Sequence, residues 1–440
     1  MIVRYGELWT KSEVTRRRME SALLDNIRAA LSDLEFRVRR WRGRIFVDSP
    51  HAEAAADRLS RVFGVVSVSP AATVEKDLES VSQAALALAR GRINPGMSFA
   101  VRAHRADKRF PLTSPEIQRN IGGKIKAETR AKVDLKSPDV EIWIEISDRA
   151  YVYDRIIRGP GGLPYGTQGR AVMLFSGGID SPVAAWMVAR RGVRLDFLFF
   201  NPGVPEAEAH AHRVYRYLRD RWYVSGEFYV YDGSEVAWQI LSRVREGLRQ
   251  VVLKRVMYRL AQELARRAGA LAIVTGESIG QVSSQTLTNL AVIEESVEIP
   301  VIRPLAGLDK DETVSWARRI GTYDLSIQIR EFCSLERHSN ASATLEEVVR
   351  EEEKLEFDPS NAEFRGYLPA PRDRAPPPAG VVVINLERED VRLDELKPET
   401  PYVFVCRAGV SARLYAEKAR ERGIEAYALS EEEARELGLL

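Results

Sequence analysis

At 440 residues the chain is longer than one hydrophobic core usually serves, and about three domains are expected at ~150 residues each. With 45% hydrophobic and 29% charged residues it reads as a soluble globular protein. No apolar run nears the ~20 residues of a bilayer span, the opening MIVRYGELWTKSE has no apolar signal core, and the cytoplasm is the expected compartment, with no membrane partner.

Two cysteines, Cys333 and Cys406, exclude a disulfide framework. The net charge of +2 hides an asymmetry: residues 1–170 carry 30 Lys+Arg against 21 Asp+Glu, which leaves 35 against 42 for the remainder. A basic front half suits a polyanion docking there, although ordinary surface charge gives the same count.

Residues 1–75 read as strand, helix, hairpin, helix, strand, the order of a ferredoxin-like α+β unit. Ile2 to Leu8 is the first strand, Ser12 caps a helix to about Leu34, and Phe36–Arg42 pairs with Arg44–Asp48 around Gly43. His51 to Phe63 is an alanine-rich helix, and Val65 to Val74 returns as one strand. Arg37, Arg39, Arg40, Arg42 and Arg44 gather on the hairpin with Trp41, as a solvated face or an RNA contact.

Residues 76–165 form a second α/β module, with a helix Leu78–Arg90, a strand Ser98–His104 and a helix capped by Ser114 running to about Lys132. A hairpin of Val140–Ile146 and Ala150–Ile157 closes it. Arg102, Arg105, Lys108, Arg109, Arg119, Lys124, Lys126 and Arg130 crowd this module and are the candidate RNA contacts. TSPEIQRNI from Thr113, KVDL from Lys132 and PDVEIWIEI together resemble the THUMP domain. That resemblance implies a grip on the acceptor end of tRNA.

GPGGLPYG, Gly159 to Gly166, is a connector by composition. It leads into AVMLFSGGIDSPVAAWMV, where a buried strand to Phe175 meets a glycine turn and a helix opening at Asp180–Pro182. Backbone N–H groups of such a turn and the positive helix end make an anion cradle, and phosphate is the expected guest. The lysine of the G-x-x-x-x-G-K-[ST] loop is missing. S-G-G-x-D-S instead resembles the pyrophosphate loop of enzymes that split ATP between the α- and β-phosphates. Strands at Leu195–Phe200, Glu227–Tyr231 and Leu271–Thr275 alternate with helices, one of them Val251–Arg267, as a doubly wound parallel sheet requires. His210 and His212 lie on a segment read as exposed, lack a third ligand, and are not expected to bind metal. No C-x-x-C cluster suggests iron–sulfur chemistry.

KRVMYRLA from Lys254, VTGESIGQVSSQTLT from Val274, PVIRPL from Pro300, LDKDE from Leu308 and IGTYDLS from Ile320 closely resemble the ThiI family of tRNA 4-thiouridine synthetases. Thr344 to Phe357 reads as an acidic helix and Arg372 to Gly380 as a linker. Val381–Leu386 and Pro401–Val405 are strands, and CRAGVSAR opens a helix ended by Gly423. A cysteine at such a strand end has its thiolate stabilised by backbone N–H groups and by Arg407 and Arg413, and the loop resembles that of a rhodanese.

The expected architecture is therefore multidomain α/β. It comprises a ferredoxin-like unit (1–75), a THUMP module (76–165), a pyrophosphate-loop adenylation domain (166–370), a linker (371–380) and a small rhodanese-like tail (381–440). The resemblance implies ATP with Mg²⁺, tRNA, a cysteine desulfurase and a cellular thiol reductant, and in some members a homodimer or a second role in thiamine thiazole synthesis. Catalytic roles fall on Asp180, Lys310, Cys333 and Cys406, the two cysteines sharing a redox disulfide. Leu174, Phe175, Ser176, Gly177, Gly178, Asp180, Ser181, Phe199, Phe200, Lys254, Gly276 and Gln285 fall where the family contacts the nucleotide. Two other readings stay open: a pyrophosphate-loop enzyme adenylating a small molecule, and a non-catalytic RNA-binding sulfur-relay protein.

Overall fold

The structure, a computed structural model, describes residues 1–41, 43–328, 340–367, 377–378, 380–389, 391–406 and 410–440. Cys333, Arg42, Arg407 and seven of the ten residues of the expected linker lie outside the described residues. The chain divides into two compact units, Met1–Thr167 and Gln168–Leu440.

The first unit begins β1 (Ile2–Tyr5), α1 (Glu13–Ala30), β2 (Arg37–Trp41), β3 (Arg44–Asp48), α2 (Ala52–Leu59) and β4 (Val65–Ser69). Ser12 caps α1 by accepting from the Thr15 N–H, as its position predicts. The expected single strand Val65–Val74 is in fact two: β4 stays in the first sheet, and β5 (Ala72–Val74) joins a second one. Pro70 sits at the break, where its missing N–H cannot continue a ladder.

The second sheet is completed by α3 (Leu78–Arg92), β6 (Ser98–Arg105), α4 (Ser114–Thr129), β7 (Lys132–Val133), β8 (Val140–Ile146) and β9 (Ala150–Tyr153), in order β5-β9-β8-β6-β7. Thr113, not Ser114, caps α4, in a capping box with Glu116; the Ser114 hydroxyl instead accepts from the Arg105 N–H. The expected strand Ala150–Ile157 also divides: Ile157–Arg158 is a separate strand, β10, that returns to pair with β4 in the order β10-β4-β1-β3-β2. The two sheets are thus laced together twice. The core of the second is built from Ile117, Ile121 and Ile125 of α4 against Val81, Ala85 and Ala89 of α3, over Phe99 and Ile142.

The second unit opens with β11 (Arg170–Leu174), α5 (Asp180–Ala189), β12 (Arg194–Asn201), α6 (Pro205–Trp222), β13 (Phe228–Asp232), α7 (Ser234–Arg243), α8 (Arg249–Ala268), β14 (Ala272–Val274), α9 (Leu287–Glu294), β15 (Val301–Ile302) and α10 (Lys310–Ile320). Its sheet is parallel throughout, in order β13-β12-β11-β14-β15. Strand order reverses beside β11, the first strand, so the crevice at its carboxyl end is where ligands bind in such sheets. β12 is buried from Leu195 to Asn201, as a strand covered on both faces should be.

After α11 (Tyr323–Ser326) comes α12 (Leu345–Glu352), capped by Thr344 and shorter than the expected helix to Phe357. The tail holds β16 (Val382–Asn385), β17 (Tyr402–Cys406), α13 (Val410–Glu421), β18 (Ala426–Ser430) and α14 (Glu431–Glu436), with a parallel three-stranded sheet β16-β17-β18. Among the described residues, no helix is long and apolar enough to cross a membrane.

Candidate functional site

The glycine turn between β11 and α5 is shaped by its own small side chains. The Ser181 Oγ accepts from the N–H groups of Ser176 at 3.3 Å and Gly177 at 3.2 Å, and the Ser176 Oγ accepts from Gly178 N–H at 3.3 Å. Gly177 lies at φ +76°, and a Cβ there would stand 2.7 Å from the Ala211 Cα, so only glycine lets α6 pack this close. His210, on the same helix, is 3% exposed, and its Nε2 lies 3.1 Å from the Gly177 carbonyl oxygen. The segment read as exposed is therefore a buried prop of the turn. Burial pushes the His210 imidazole below its ordinary value and Arg213 adds to this, with the Gly177 bond opposing. Nε2 is accordingly the donor, and Nδ1 has no partner among the described residues. His212 stacks on Tyr367 at 3.9 Å.

Asp180, the first residue of α5, meets two side chains that arrive from elsewhere. The Lys310 Nζ donates to its two oxygens at 2.7 and 3.0 Å, and the Gln281 Nε2 donates at 3.0 Å. Lys310 is placed by the start of α10, where Asp309 and Glu312 form a capping box. Its side chain keeps 44% of its exposure, against 18% for Asp180, so the ammonium is open to a ligand. Gly276 closes the other side: a Cβ there would lie 3.0 Å from the Ser181 N. Packing against the start of α5 therefore gives this glycine a structural reason of its own. Gln285 accepts from the Ser278 N–H at 3.1 Å and so folds the loop that carries Gln281.

Behind Gly276 lies a buried charged cluster. Glu277, 6% exposed, accepts from Lys254 at 2.7 Å, Thr275 at 3.0 Å, Arg303 at 3.1 Å and the Tyr258 hydroxyl. Burial alone would raise this carboxyl, but Lys254, Tyr258 and Arg303 outweigh it and hold it at about 2. Lys254, a sequence candidate, is thereby fixed in place. Leu174 ends β11 half-buried, and Phe175 is buried in edge contact with Phe197 at 5.1 Å. Phe199 and Phe200 are both 3% exposed, Phe199 stacked on Phe228 at 6.4 Å and Phe200 tilted against Tyr231 at 5.8 Å.

Sequence reasoning missed His210, Gln281, Tyr258, Glu277 and Arg303. Glu277 and Gln281 stand inside the TGESIGQ run and Arg303 inside PVIRPL, so their motifs were legible although their partners were not.

Cys406 ends β17, 4% exposed, and its Sγ accepts from the Ala412 N–H at 3.3 Å in the first turn of α13. A thiolate there is favoured by that donor and by the helix end. Among the described residues, no group of three or more His, Cys, Asp or Glu is arranged to hold a metal.

The candidate RNA contacts separate into two sets. Arg102 is tied to Glu141 at 2.9 Å and to the Leu135 carbonyl at 2.8 Å. Arg105 donates to the Phe110 and Leu112 carbonyls at 3.0 and 3.3 Å, and Lys124 to the Ser82 hydroxyl at 3.0 Å. Lys108, Arg119, Lys126 and Arg130 are exposed, and Arg109, exposed at 84% of its side chain, donates to Asp107 at 3.0 Å. On the hairpin, Arg39 pairs with Asp48 and Asp148, Arg40 with Glu20 and Arg44 with Glu145, so these three guanidiniums mainly serve the fold.

Three family models match in chain order: the ThiI ferredoxin-like domain over residues 1–69, the THUMP domain over 75–154 and the thiamine biosynthesis protein ThiI over 166–357. A probable tRNA sulfurtransferase of Moorella thermoacetica is 43% identical, covering 76% of this chain and 86% of its own. The tRNA sulfurtransferase of Pyrobaculum aerophilum is 37% identical over 98% of this chain and 96% of its own, so it shares the tail as well. Among solved structures, a 4-thiouridine synthetase–RNA complex with bound ATP matches with a TM-score of 0.73 and 31% identity, over 80% of this chain and 93% of that one. PH1313 from Pyrococcus horikoshii matches with a TM-score of 0.59 and 30% identity, over 73% and 98%. With three family models matched in chain order and relatives 37% and 43% identical over 98% and 76% of its length, the chain belongs to the ThiI family.

Proposed function

We infer that the chain is an ATP-dependent tRNA sulfurtransferase that converts a tRNA uridine, the one at position eight by family resemblance, to 4-thiouridine. The observation that carries this reading is Asp180, paired with Lys310 and Gln281 at the mouth of the glycine turn. It stands in a chain alike over most of its length to a 4-thiouridine synthetase solved with RNA and ATP.

ATP is the activating substrate. The turn and the start of α5 cradle its phosphates, and Lys310 meets the charge that grows as the bond between the α- and β-phosphates breaks. Asp180 is a single carboxylate beside a phosphate site, which is the donor set Mg²⁺ takes; bound there, Mg²⁺ supplies further neutralisation of phosphate charge. The uridine leaves its stack, and its O4 attacks the α-phosphate to give an adenylated base and pyrophosphate.

Uracil C4 is a poor electrophile until O4 carries AMP. Cys406, charged as a persulfide by a cysteine desulfurase, attacks C4 with its terminal sulfur, and AMP departs with the C4–O4 electrons. The Cys333 thiolate then attacks the Cys406 Sγ. The sulfur–sulfur bond breaks, 4-thiouridine leaves as the thiolate, and a Cys333–Cys406 disulfide remains. A thiol reductant returns both cysteines by two electrons.

The test is to mix unmodified tRNA, ATP, cysteine, a cysteine desulfurase and the protein, and to read absorbance of the thiolated base while omitting each component in turn. Loss of signal on omission of ATP, desulfurase or protein supports the reading. Pyrophosphate release that does not need tRNA overturns it in favour of a small-molecule substrate.

A further inference from the structure

We propose that the Cys406-bearing tail docks on the nucleotide domain through one face of α13, and that Trp238, Glu235, Tyr415 and Lys418 are positioning residues for sulfur delivery. The inference rests on the functional reading above, because it takes Cys406 as the sulfur carrier.

The contacts join parts of the chain far apart in sequence. The Tyr415 ring of α13 meets the Trp238 ring of α7 edge-on at 5.0 Å and 80°, and Trp238 packs with the tail's own core. One turn along α13, the Lys418 Nζ donates to Glu235 at 2.7 Å. At the opposite end, Arg413 pairs with Glu206 in the first turn of α6. Between them, Leu414 lies against Gly203, 3.4 Å from where a Cβ would be.

These anchors share one location. Gly203 and Glu206 follow the carboxyl end of β12, and Glu235 and Trp238 follow that of β13. Both strands lie on one side of β11, whose carboxyl end gives the phosphate turn, and all three are parallel. The tail therefore rests on the sheet edge where adenylation takes place, and α13 begins just after Cys406.

The chemistry of the patch suits reversible docking. One aromatic pair and two ion pairs at a solvent edge form a weak interface, and a weak interface within a chain permits release. Cys406 is buried within the tail's own core and must also be reached by the persulfide donor, so sulfur loading and sulfur delivery call for different arrangements of the tail. The tail is already tethered to the nucleotide domain, and docking raises the effective concentration of its thiol there.

The experiment uses the full chain, preloaded with persulfide, in a single turnover with unmodified tRNA and ATP. Thiolated base and pyrophosphate are followed together. Trp238→Ala is expected to slow thiolation about 5- to 10-fold, the scale of one lost aromatic pair, with pyrophosphate release unchanged. Trp238→Phe is expected to restore most of it. Glu235→Lys should slow thiolation about 3-fold, and adding Lys418→Glu to it should recover the loss. Unchanged thiolation in every variant overturns the docking proposal, as does a parallel fall in pyrophosphate release. If the unaltered protein itself makes no thiolated base, the functional reading fails first and takes the proposal with it.

Discussion

Replacing Glu277 by Gln removes the one anion that Lys254 and Arg303 share inside the second unit. The carboxyl is held at about 2 against an ordinary 4.5, a difference worth about 3 kcal/mol. Leaving Lys254 facing a neutral amide in a buried site, with Arg303 keeping only Glu294, costs a similar ~3–5 kcal/mol. Glu277→Gln is therefore expected to destabilise the second unit by about 3 kcal/mol and lower its melting temperature by about 6–12 °C.

The pH dependence has a definite sign. A carboxyl whose folded value is depressed contributes fully above its unfolded value and loses that contribution as pH falls toward the folded one. The Glu277 contribution is thus present above about pH 5 and declines toward pH 2. Urea unfolding at pH 6 and pH 3.5, with hydrogen exchange over β14 and α8 as the local probe, should show the gap between the two proteins shrinking by about 1–2 kcal/mol. A gap below about 1 kcal/mol at pH 6, or one that is the same at both pH values, refutes the argument.

Further outcomes follow from the same geometry. Asp180→Ala and Lys310→Ala should each reduce tRNA-dependent pyrophosphate release by about 10²- to 10³-fold while leaving the melting temperature within a few degrees, because the pair is partly exposed. His210→Ala should raise KM for ATP several-fold with a smaller change in kcat, and His210→Gln, which keeps a donor for the Gly177 carbonyl, should recover part of it; equal KM in all three proteins would remove the prop from the account. Lys126→Ala or Arg119→Ala should weaken tRNA binding and lower its salt slope by about 0.7–0.9 each. Arg105→Ala should instead show mainly as lost stability of the first unit, since its guanidinium is tied to backbone carbonyls.

The glycine turn was legible because its message is local: an apolar strand, small residues and a helix start follow one another in sequence. Lys310 was named through the resemblance of LDKDE to the family, and the Asp309–Glu312 capping box that places it is visible only in the structure. What escaped was carried by side chains meeting across elements. His210 reads as a histidine on an exposed segment until α6 is seen under Gly177, and Glu277 is only one letter of a motif until Lys254 and Arg303 converge on it. The two divided strands show the same thing for the backbone. β4 and β5 form one apolar run in sequence, and only the competition of two sheets, with Pro70 between them, parts it.

The proposed reaction needs a phosphate cradle and a sulfur-bearing thiol that act in turn on one base. The measurement that bears on it most directly compares the unaltered protein with Cys406→Ser for pyrophosphate release and thiolated base in the same tube. Cys406→Ser should keep tRNA-dependent pyrophosphate release and yield no 4-thiouridine. Thiouridine formed at the normal rate by Cys406→Ser, or no ATP turnover by the unaltered protein with tRNA, would contradict it.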